Sequence, residues 1–129
     1  VGQDDMPIAE ARKVAGPSCM VGKSTHSLDQ AIRAFYEGAD YIGFGPIFAT
    51  PTKPHYPPVG LHDIQKVHDA VRIPIFCIGG IKLENLAGVM AAGARRVVIV
   101  SGLLQAPNPA EYARSVKQTL CHQPLICDL

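Results

Sequence analysis

The sequence lacks an excess of charge of either sign. Its 129 residues include 12 Lys and Arg against 11 Asp and Glu, which gives a formal net charge of +1 at pH 7. Such a balance creates no overall field that would attract nucleic acid or an acidic membrane. Any anion must therefore be bound by local geometry. We expect small molecules as partners, and neither nucleic acid nor a membrane.

Long apolar runs are also missing. No stretch approaches the roughly 18 consecutive apolar residues that a membrane-spanning helix requires. The first residues resemble neither a signal peptide nor a basic amphipathic leader, although the chain opens at Val1 rather than Met. These absences favour a cytoplasmic protein.

Cysteine and histidine are absent in the spacings that metal sites require. The four cysteines show no C-x-x-C spacing, and the five histidines are scattered along the chain. Neither a zinc site nor a disulfide framework is indicated. We expect reduced, structural thiols, which fit a cytoplasmic location. The cysteines are Cys19, Cys77, Cys121 and Cys127.

What the chain does contain is a regular alternation of strand-like and helix-like segments, with 47% hydrophobic residues to build a core. This alternation predicts an α/β domain with a parallel sheet over residues 1–120 and a frayed tail over 121–129. The predicted strands are 19–22, 41–45, 75–78 and 97–100. The predicted helices are 7–15, 27–37, 62–71, 83–92 and 109–120.

Glycine follows two of the predicted strands. Gly79 and Gly80 end the third strand, and Ser101 with Gly102 ends the fourth. Backbone N–H groups without side chains can approach an anion closely, and a hydroxyl adds another donor. Neighbouring strand ends with these residues predict a phosphate cradle, and the alternative is that the glycines serve only tight turns.

A Pro-rich loop over residues 49–60 follows the second strand and is unusually long for such a connection. It contains Thr50, Pro51, Thr52 and Lys53 in succession. Two hydroxyls and an ammonium suit phosphate or pyrophosphate oxygens, and long loops in compact domains often carry function. Simple solvation of these side chains is the alternative.

Polar residues also follow the first predicted strand and precede the first helix. Ser24 is the better ligand candidate there, whereas Ser27 is predicted to cap a helix. Asp5 is either an N-terminal helix cap or a Mg²⁺ ligand, because Mg²⁺ prefers one or two carboxylates with substrate phosphate oxygens. The sequence offers no clear second carboxylate for the metal.

Several of these segments occur in an order that resembles thiamine phosphate synthase. They are GQDD at 2–5, GKSTHS at 22–27, GADYIGFGPIFATPTK at 38–53, IGGI at 78–81 and VS at 100–101. The resemblance covers residues 1 to about 120 and implies the C-terminal half, about strands 5–8, of a (β/α)8 barrel with outer helices. The family joins hydroxymethylpyrimidine pyrophosphate to thiazole phosphate, giving thiamine monophosphate and pyrophosphate.

The resemblance also implies roles for individual residues. Lys53 and Ser24 would be catalytic and contact the pyrimidine substrate, and Asp5 would bind Mg²⁺. The residues that would hold the thiazole phosphate are Thr50, Pro51, Thr52, Gly80, Val100 and Ser101.

Part of the family pattern is not found in this chain. The family's first strands carry a Gln/Arg/Lys cluster for pyrophosphate and an Asn-Asp pair that supplies the other Mg²⁺ ligand. A half-barrel would also expose sheet edges and an apolar inner face. We therefore expect little synthase activity from this chain alone, and either self-association or pairing with an N-terminal half.

Two other interpretations remain open. The thiazole tautomerase branch of the same superfamily is similar in its IGGI and VSG segments and uses a His near the position of His26, although it departs from this sequence in the TPTK loop. The other interpretation is a non-catalytic, phosphate-binding half-barrel.

Overall fold

Strands and helices alternate along the chain, as the apolar pattern predicts. The computed structural model describes residues 1–51 and 53–122. Within these ranges the strands are β1 (Gly22–Thr25), β2 (Tyr41–Phe44), β3 (Ile75–Ile78) and β4 (Val97–Val98). The helices are α1 (Ile8–Ala15), α2 (Leu28–Tyr36), α3 (Ile64–Ala70), α4 (Leu83–Ala91), α5 (Ser101–Leu104) and α6 (Pro109–Cys121). None of these helices is long and apolar enough to cross a membrane.

The strands form one parallel sheet in the order β1-β2-β3-β4. Val1 extends the sheet beyond β1, because its backbone nitrogen donates to the Gly22 carbonyl at 2.7 Å and its carbonyl accepts from Ser24 N–H at 2.9 Å. In a parallel ladder, a residue bonds to the two residues that flank its partner on the neighbouring strand. Val1 does this with Gly22 and Ser24, which flank Lys23. Residues 2–5 therefore follow Val1 at the same sheet edge as the carboxyl ends of the strands.

The two faces of the sheet differ in burial. Ile42, Phe44, Ile75 and Cys77 on one face are at most 1% exposed and pack against the helices. Burial raises the pKa of the Cys77 thiol to about 11, because the thiolate would lose its hydration. Cys77 is thus consistent with the prediction of reduced, structural thiols.

The opposite face of the sheet stays open. Tyr41 is 38% exposed and Ile78 is 37% exposed. The Tyr41 ring meets the Phe76 ring edge to face, with centroids 5.7 Å apart. Tyr41 also lies over Gly22, where any side chain would overlap its ring. The open face thus carries large apolar side chains, and helices cover only the other face within the described residues.

The helices begin and end close to the predicted positions. The Ser27 hydroxyl accepts from Gln30 N–H at 3.1 Å and caps α2, which confirms its predicted role. Gly38 and Gly93, which stand between a helix and the following strand, have φ of 88° and 112°. A left-handed residue at this point ends the helix and turns the chain back toward the sheet.

The prediction for the first strand was wrong. Its apolar residues 19–21 lie outside the ladder, and β1 starts at Gly22, where the predicted strand ends. The segment after Gly22 is polar, but it can form a strand because the sheet accommodates the side chains of Ser24 and Thr25. The Thr25 hydroxyl donates to Gly43 O at 2.8 Å, and Ser24 faces the open side of the sheet.

The fourth strand is also shorter than predicted. The ladder between β3 and β4 ends at the pair Ile78 and Val98. Directly beyond it, Gly79 has φ of 104°, which takes β3 out of the extended conformation. From Ser101 the chain turns into α5, a short helix that the sequence pattern does not predict.

The predicted tail overlaps α6, which continues through Cys121. Residues 123–129, with Cys127, lie outside the described residues, as does Thr52.

Candidate active site

A cavity of about 200 Å³ opens at the carboxyl edge of the sheet. This is the edge where active sites of parallel α/β barrels lie. The predicted site residues that line the cavity are Ser24, Thr50, Lys53, Gly80, Val100 and Ser101. The cavity is smaller than the roughly 300–1,000 Å³ of typical ligand pockets.

Gly79 and Gly80 form the floor of this cavity at the end of β3. Their φ angles are 104° and 66°, a region that residues with side chains rarely adopt. A Cβ on Gly79 would lie 2.5 Å from Pro46 Cα, and one on Gly80 would lie 2.8 Å from Phe48 Cβ. These glycines therefore serve a tight turn and also line the cavity, so the two predicted roles are compatible.

The loop over residues 49–60 carries Lys53 to the cavity. Its far end is fixed to the chain that follows β2, because Val59 N–H donates to Pro46 O at 2.8 Å and Gly60 N–H donates to Ile47 O at 3.1 Å. Pro51 is exposed and lies outside the cavity lining, beside Thr50.

Ser24 reaches the cavity from within β1 rather than from a loop after it. Its side chain is on the open face of the sheet, because β1 buries Lys23 and Thr25 on the other face. The Gln3 side chain, which the sequence did not single out, lines the cavity too and donates to Ser24 O at 2.6 Å. This bond holds the segment after Val1 against β1.

Asp5 does not cap α1. The residue at the helix N-terminus is Pro7, and the Asp5 carboxylate instead accepts from Gly2 N–H at 2.5 Å. Gly2 lines the cavity, which puts the exposed Asp5 next to the site. No group of three or more His, Cys, Asp or Glu side chains is placed to hold a metal ion in the described ranges. A single carboxylate is still compatible with Mg²⁺ if substrate oxygens supply other ligands.

His26 and Tyr56 form an aromatic wall of the cavity. Their rings are stacked, with centroids 4.4 Å apart and an interplanar angle of 22°. His26 Nδ1 lies 2.6 Å from Gly45 O. A carbonyl can only accept, so Nδ1 carries a proton in this contact. Sequence reasoning singled out His26 but missed Tyr56, whose position in the loop close to Lys53 was the available signal.

Comparisons with known proteins agree with the motifs. Residues 1–103 match the model of the thiamine monophosphate synthase family. A thiamine-phosphate synthase of Synechococcus sp. strain CC9311 is 44% identical over 120 residues, which are 93% of this chain and 34% of the relative. The thiamine-phosphate synthase of Thermus thermophilus is 45% identical over 122 residues, which are 93% of this chain and 58% of the relative.

A solved structure gives the same result. Thiamine phosphate pyrophosphorylase from Pyrococcus furiosus superposes with a TM-score of 0.84 at 31% identity, covering 93% of this chain and 57% of that protein. The chain thus spans between about a third and three fifths of the length of the proteins it matches. On the family match and these identities, the chain belongs to the thiamine monophosphate synthase family.

Proposed function

We propose that the chain contributes to thiamine biosynthesis as the part of a synthase that carries the thiazole-phosphate site. The reaction joins hydroxymethylpyrimidine pyrophosphate to thiazole phosphate, giving thiamine monophosphate and pyrophosphate. The observation that carries this proposal is the convergence of Ser24, Lys53, Gly80 and Ser101 on one cavity at the carboxyl edge of the sheet. Four separate segments supply these residues, and the family resemblance assigns each of them to a substrate.

We further propose that the sheet is the C-terminal half of a (β/α)8 barrel. The strands are parallel and adjacent in chain order, as successive barrel strands are. The open apolar face with Tyr41 and Ile78 corresponds to the inner face of such a barrel. Val1 pairs with β1 as the end of a preceding strand would. Remaining strands would then cover this face and supply the residues that bind pyrophosphate.

The thiazole substrate is held by its phosphate in this proposal. The glycine turn after β3 leaves room for an anion next to Gly80, while Ser101 offers a hydroxyl at the neighbouring strand end. Thr50 adds a second hydroxyl from the loop, with Val100 as an apolar neighbour. Pro51 and Thr52 complete the proposed set.

The chemical step is a substitution at the pyrimidine methylene carbon. The carbon–oxygen bond to pyrophosphate breaks with its electron pair leaving on the pyrophosphate, and the thiazole nitrogen lone pair then forms the new carbon–nitrogen bond. Lys53 stabilises the negative charge that develops on the leaving group, and an ammonium fixed in place is effective because it needs no reorganisation. Ser24 contacts the pyrimidine substrate from β1.

Mg²⁺ is the cofactor that we propose for the site. Asp5 would hold the ion together with substrate oxygens, and the ion would neutralise charge on the pyrophosphate. The described residues supply one carboxylate at this position, so the proposed second ligand belongs to the remaining strands.

A thiazole tautomerase is the second candidate, and His26 favours it. Its Nδ1 donates to Gly45 O, which leaves Nε2 as the ring nitrogen that would accept a proton if His26 acts as a general base. The curated relatives reported above are named as synthases rather than tautomerases. A synthase reaction consumes the pyrimidine substrate and releases pyrophosphate, whereas a tautomerase reaction does neither.

The decisive experiment is the synthesis of thiamine monophosphate from both substrates with Mg²⁺. The chain is assayed alone and with the N-terminal half of the 45% identical Thermus thermophilus relative. We expect activity in the mixture, and we expect Lys53→Ala to lower kcat by about 10²–10³-fold, as for removal of other fixed charge-stabilising donors. Lys66→Ala is the matched control, because Lys66 is 60% exposed on α3 and pairs with Asp63.

The outcomes of this experiment distinguish the candidate functions. Equal loss in the Lys53 and Lys66 variants would argue against the role of Lys53. Isomerisation of the thiazole phosphate without release of pyrophosphate would support the tautomerase. A folded mixture with neither reaction would leave a non-catalytic, phosphate-binding half-barrel as the better interpretation.

A further inference from the structure

The contact between His26 and Tyr56 joins two segments that the proposed mechanism treats separately. His26 follows β1, and Tyr56 lies in the loop that carries Lys53. Neither ring has a role in the bond-making steps of the proposed synthase. The contact between the two rings must therefore have another physical role.

His26 is fixed on three sides. Its backbone N–H donates to Gln30 Oε1 at 2.8 Å, which ties it to α2. Its Nδ1 lies 2.6 Å from Gly45 O at the end of β2. Its ring face packs on Tyr56. The first two contacts are made to α2 and to the end of β2, so they hold the His26 ring in place independently of Tyr56.

Tyr56 is connected just as directly to Lys53. Its N–H donates to Lys53 O at 3.3 Å, which closes a turn between the two residues. This turn links the backbone of Lys53 to the residue whose ring stacks on His26. The Lys53 side chain and both rings line the same cavity.

We propose that Tyr56 is a positioning residue, which stacks on His26 to hold the loop of residues 49–60 so that Lys53 faces the leaving pyrophosphate. The inference rests on the role of Lys53 proposed above. Tyr56 does not itself contact the reacting atoms in this proposal. The stack reduces the number of loop conformations, and the ammonium is then in place before charge develops.

Hydrogen–deuterium exchange of the peptide spanning 49–60 tests the contact without any substrate. Tyr56→Ala should speed exchange there by roughly two- to tenfold, the range that loss of one aromatic pair allows. Tyr56→Phe keeps the stacked ring and should exchange like the unaltered chain. Tyr36→Ala is the matched control, because Tyr36 is 81% exposed and lies outside the cavity. Unchanged exchange in Tyr56→Ala would overturn the proposal.

A double-mutant cycle tests whether Tyr56 acts through Lys53. The chain mixed with the N-terminal half of the Thermus thermophilus relative is titrated calorimetrically with inorganic pyrophosphate. Tyr56→Ala should bind it roughly two- to tenfold more weakly, with affinity restored in Tyr56→Phe. In a Lys53→Ala background the same change should have no further effect. Equal weakening in both backgrounds would show that Tyr56 acts independently of Lys53 and would overturn the positioning role.

The two measurements also separate this inference from the proposed function. If the unaltered mixture binds no pyrophosphate, the role of Lys53 fails together with the proposed function. The exchange rates would still decide whether the stack holds the loop.

Discussion

At the scale of single residues, the glycines after β3 show how backbone freedom is used at the site. Gly79 has φ of 104°, and a Cβ there would lie 2.5 Å from Pro46 Cα, a backbone atom that cannot move away cheaply. Gly88 in α4 is the opposite case, because a Cβ there would meet no atom within 4 Å. Position 79 thus requires glycine for steric and conformational reasons, whereas position 88 does not.

This contrast predicts opposite effects of the same substitution. Gly79→Ala should lower the free energy of unfolding by about 1–3 kcal/mol, because it combines a rare φ with a steric overlap. Gly88→Ala should raise it by about 0.5–1 kcal/mol, since alanine at an exposed helix position loses less backbone entropy on folding than glycine does. Urea unfolding followed by far-ultraviolet circular dichroism measures both. Destabilisation by the two variants alike would contradict the assignment of Gly79 as a special position.

At the scale of elements, one ion pair ties α1 to the start of β2. Arg12 Nη2 lies 2.9 Å from Asp40 Oδ2 and also donates to Gly38 O at 2.6 Å. Val21 N–H donates to the same carboxylate at 2.7 Å, just before β1 begins. The hydrogen bond from Arg12, followed by that from Val21, lowers the pKa of Asp40. The carboxylate thus joins a helix and the approaches to two strands.

This pKa shift predicts acid sensitivity. A lowered folded-state pKa means that ionised Asp40 contributes stability above its ordinary pKa of 3.8, and the contribution is lost as the pH falls below that value. Asp40→Asn should therefore destabilise the protein at neutral pH and show a smaller loss of stability between neutral and acidic pH. Arg12→Ala should reduce the same pH dependence, because it removes the main cause of the shift. Urea midpoints across the pH range measure the effect, and an unchanged slope in Asp40→Asn would contradict it.

At the scale of the whole molecule, the sheet has one covered face and one open face. Ile42 and Ile75 are at most 1% exposed beneath the helices, whereas Tyr41 and Ile78 on the other side are 38% and 37% exposed. Parallel sheets are normally covered on both faces. The proposed half-barrel accounts for this difference, because the remaining strands of a barrel would cover the open side.

The open face predicts a specific association. Mixing the chain with the N-terminal half of the Thermus thermophilus relative should give a one-to-one complex by sedimentation velocity. Tyr41→Asp should prevent it, because an unpaired carboxylate would then face the apolar interior. Tyr36→Asp, on the helix-covered side of the molecule, should associate normally. Association of the unaltered chain with itself instead would point to pairing between two copies.

The sequence determined the alternation of strands and helices, because apolar periodicity and helix-ending glycines such as Gly38 and Gly93 act locally. Six of the nine site residues that it predicts, including Lys53 and Ser101, line the cavity, since side chains at the carboxyl ends of parallel strands must share one edge. It misplaced β1, because a polar strand is stable only where a neighbour such as Gly43 O accepts the Thr25 hydroxyl. That acceptor lies on another strand.

The tertiary structure alone decided which distant groups meet. The stack of His26 on Tyr56 joins segments 30 residues apart along the chain, at a centroid distance of 4.4 Å. The end of β4 depends on the turn at Gly79 in the neighbouring strand, and the position of Gln3 depends on the Ser24 carbonyl to which its side chain donates. Local patterns encode backbone conformation, whereas these contacts depend on the relative positions of elements, which are fixed only when the sheet and its helices pack together.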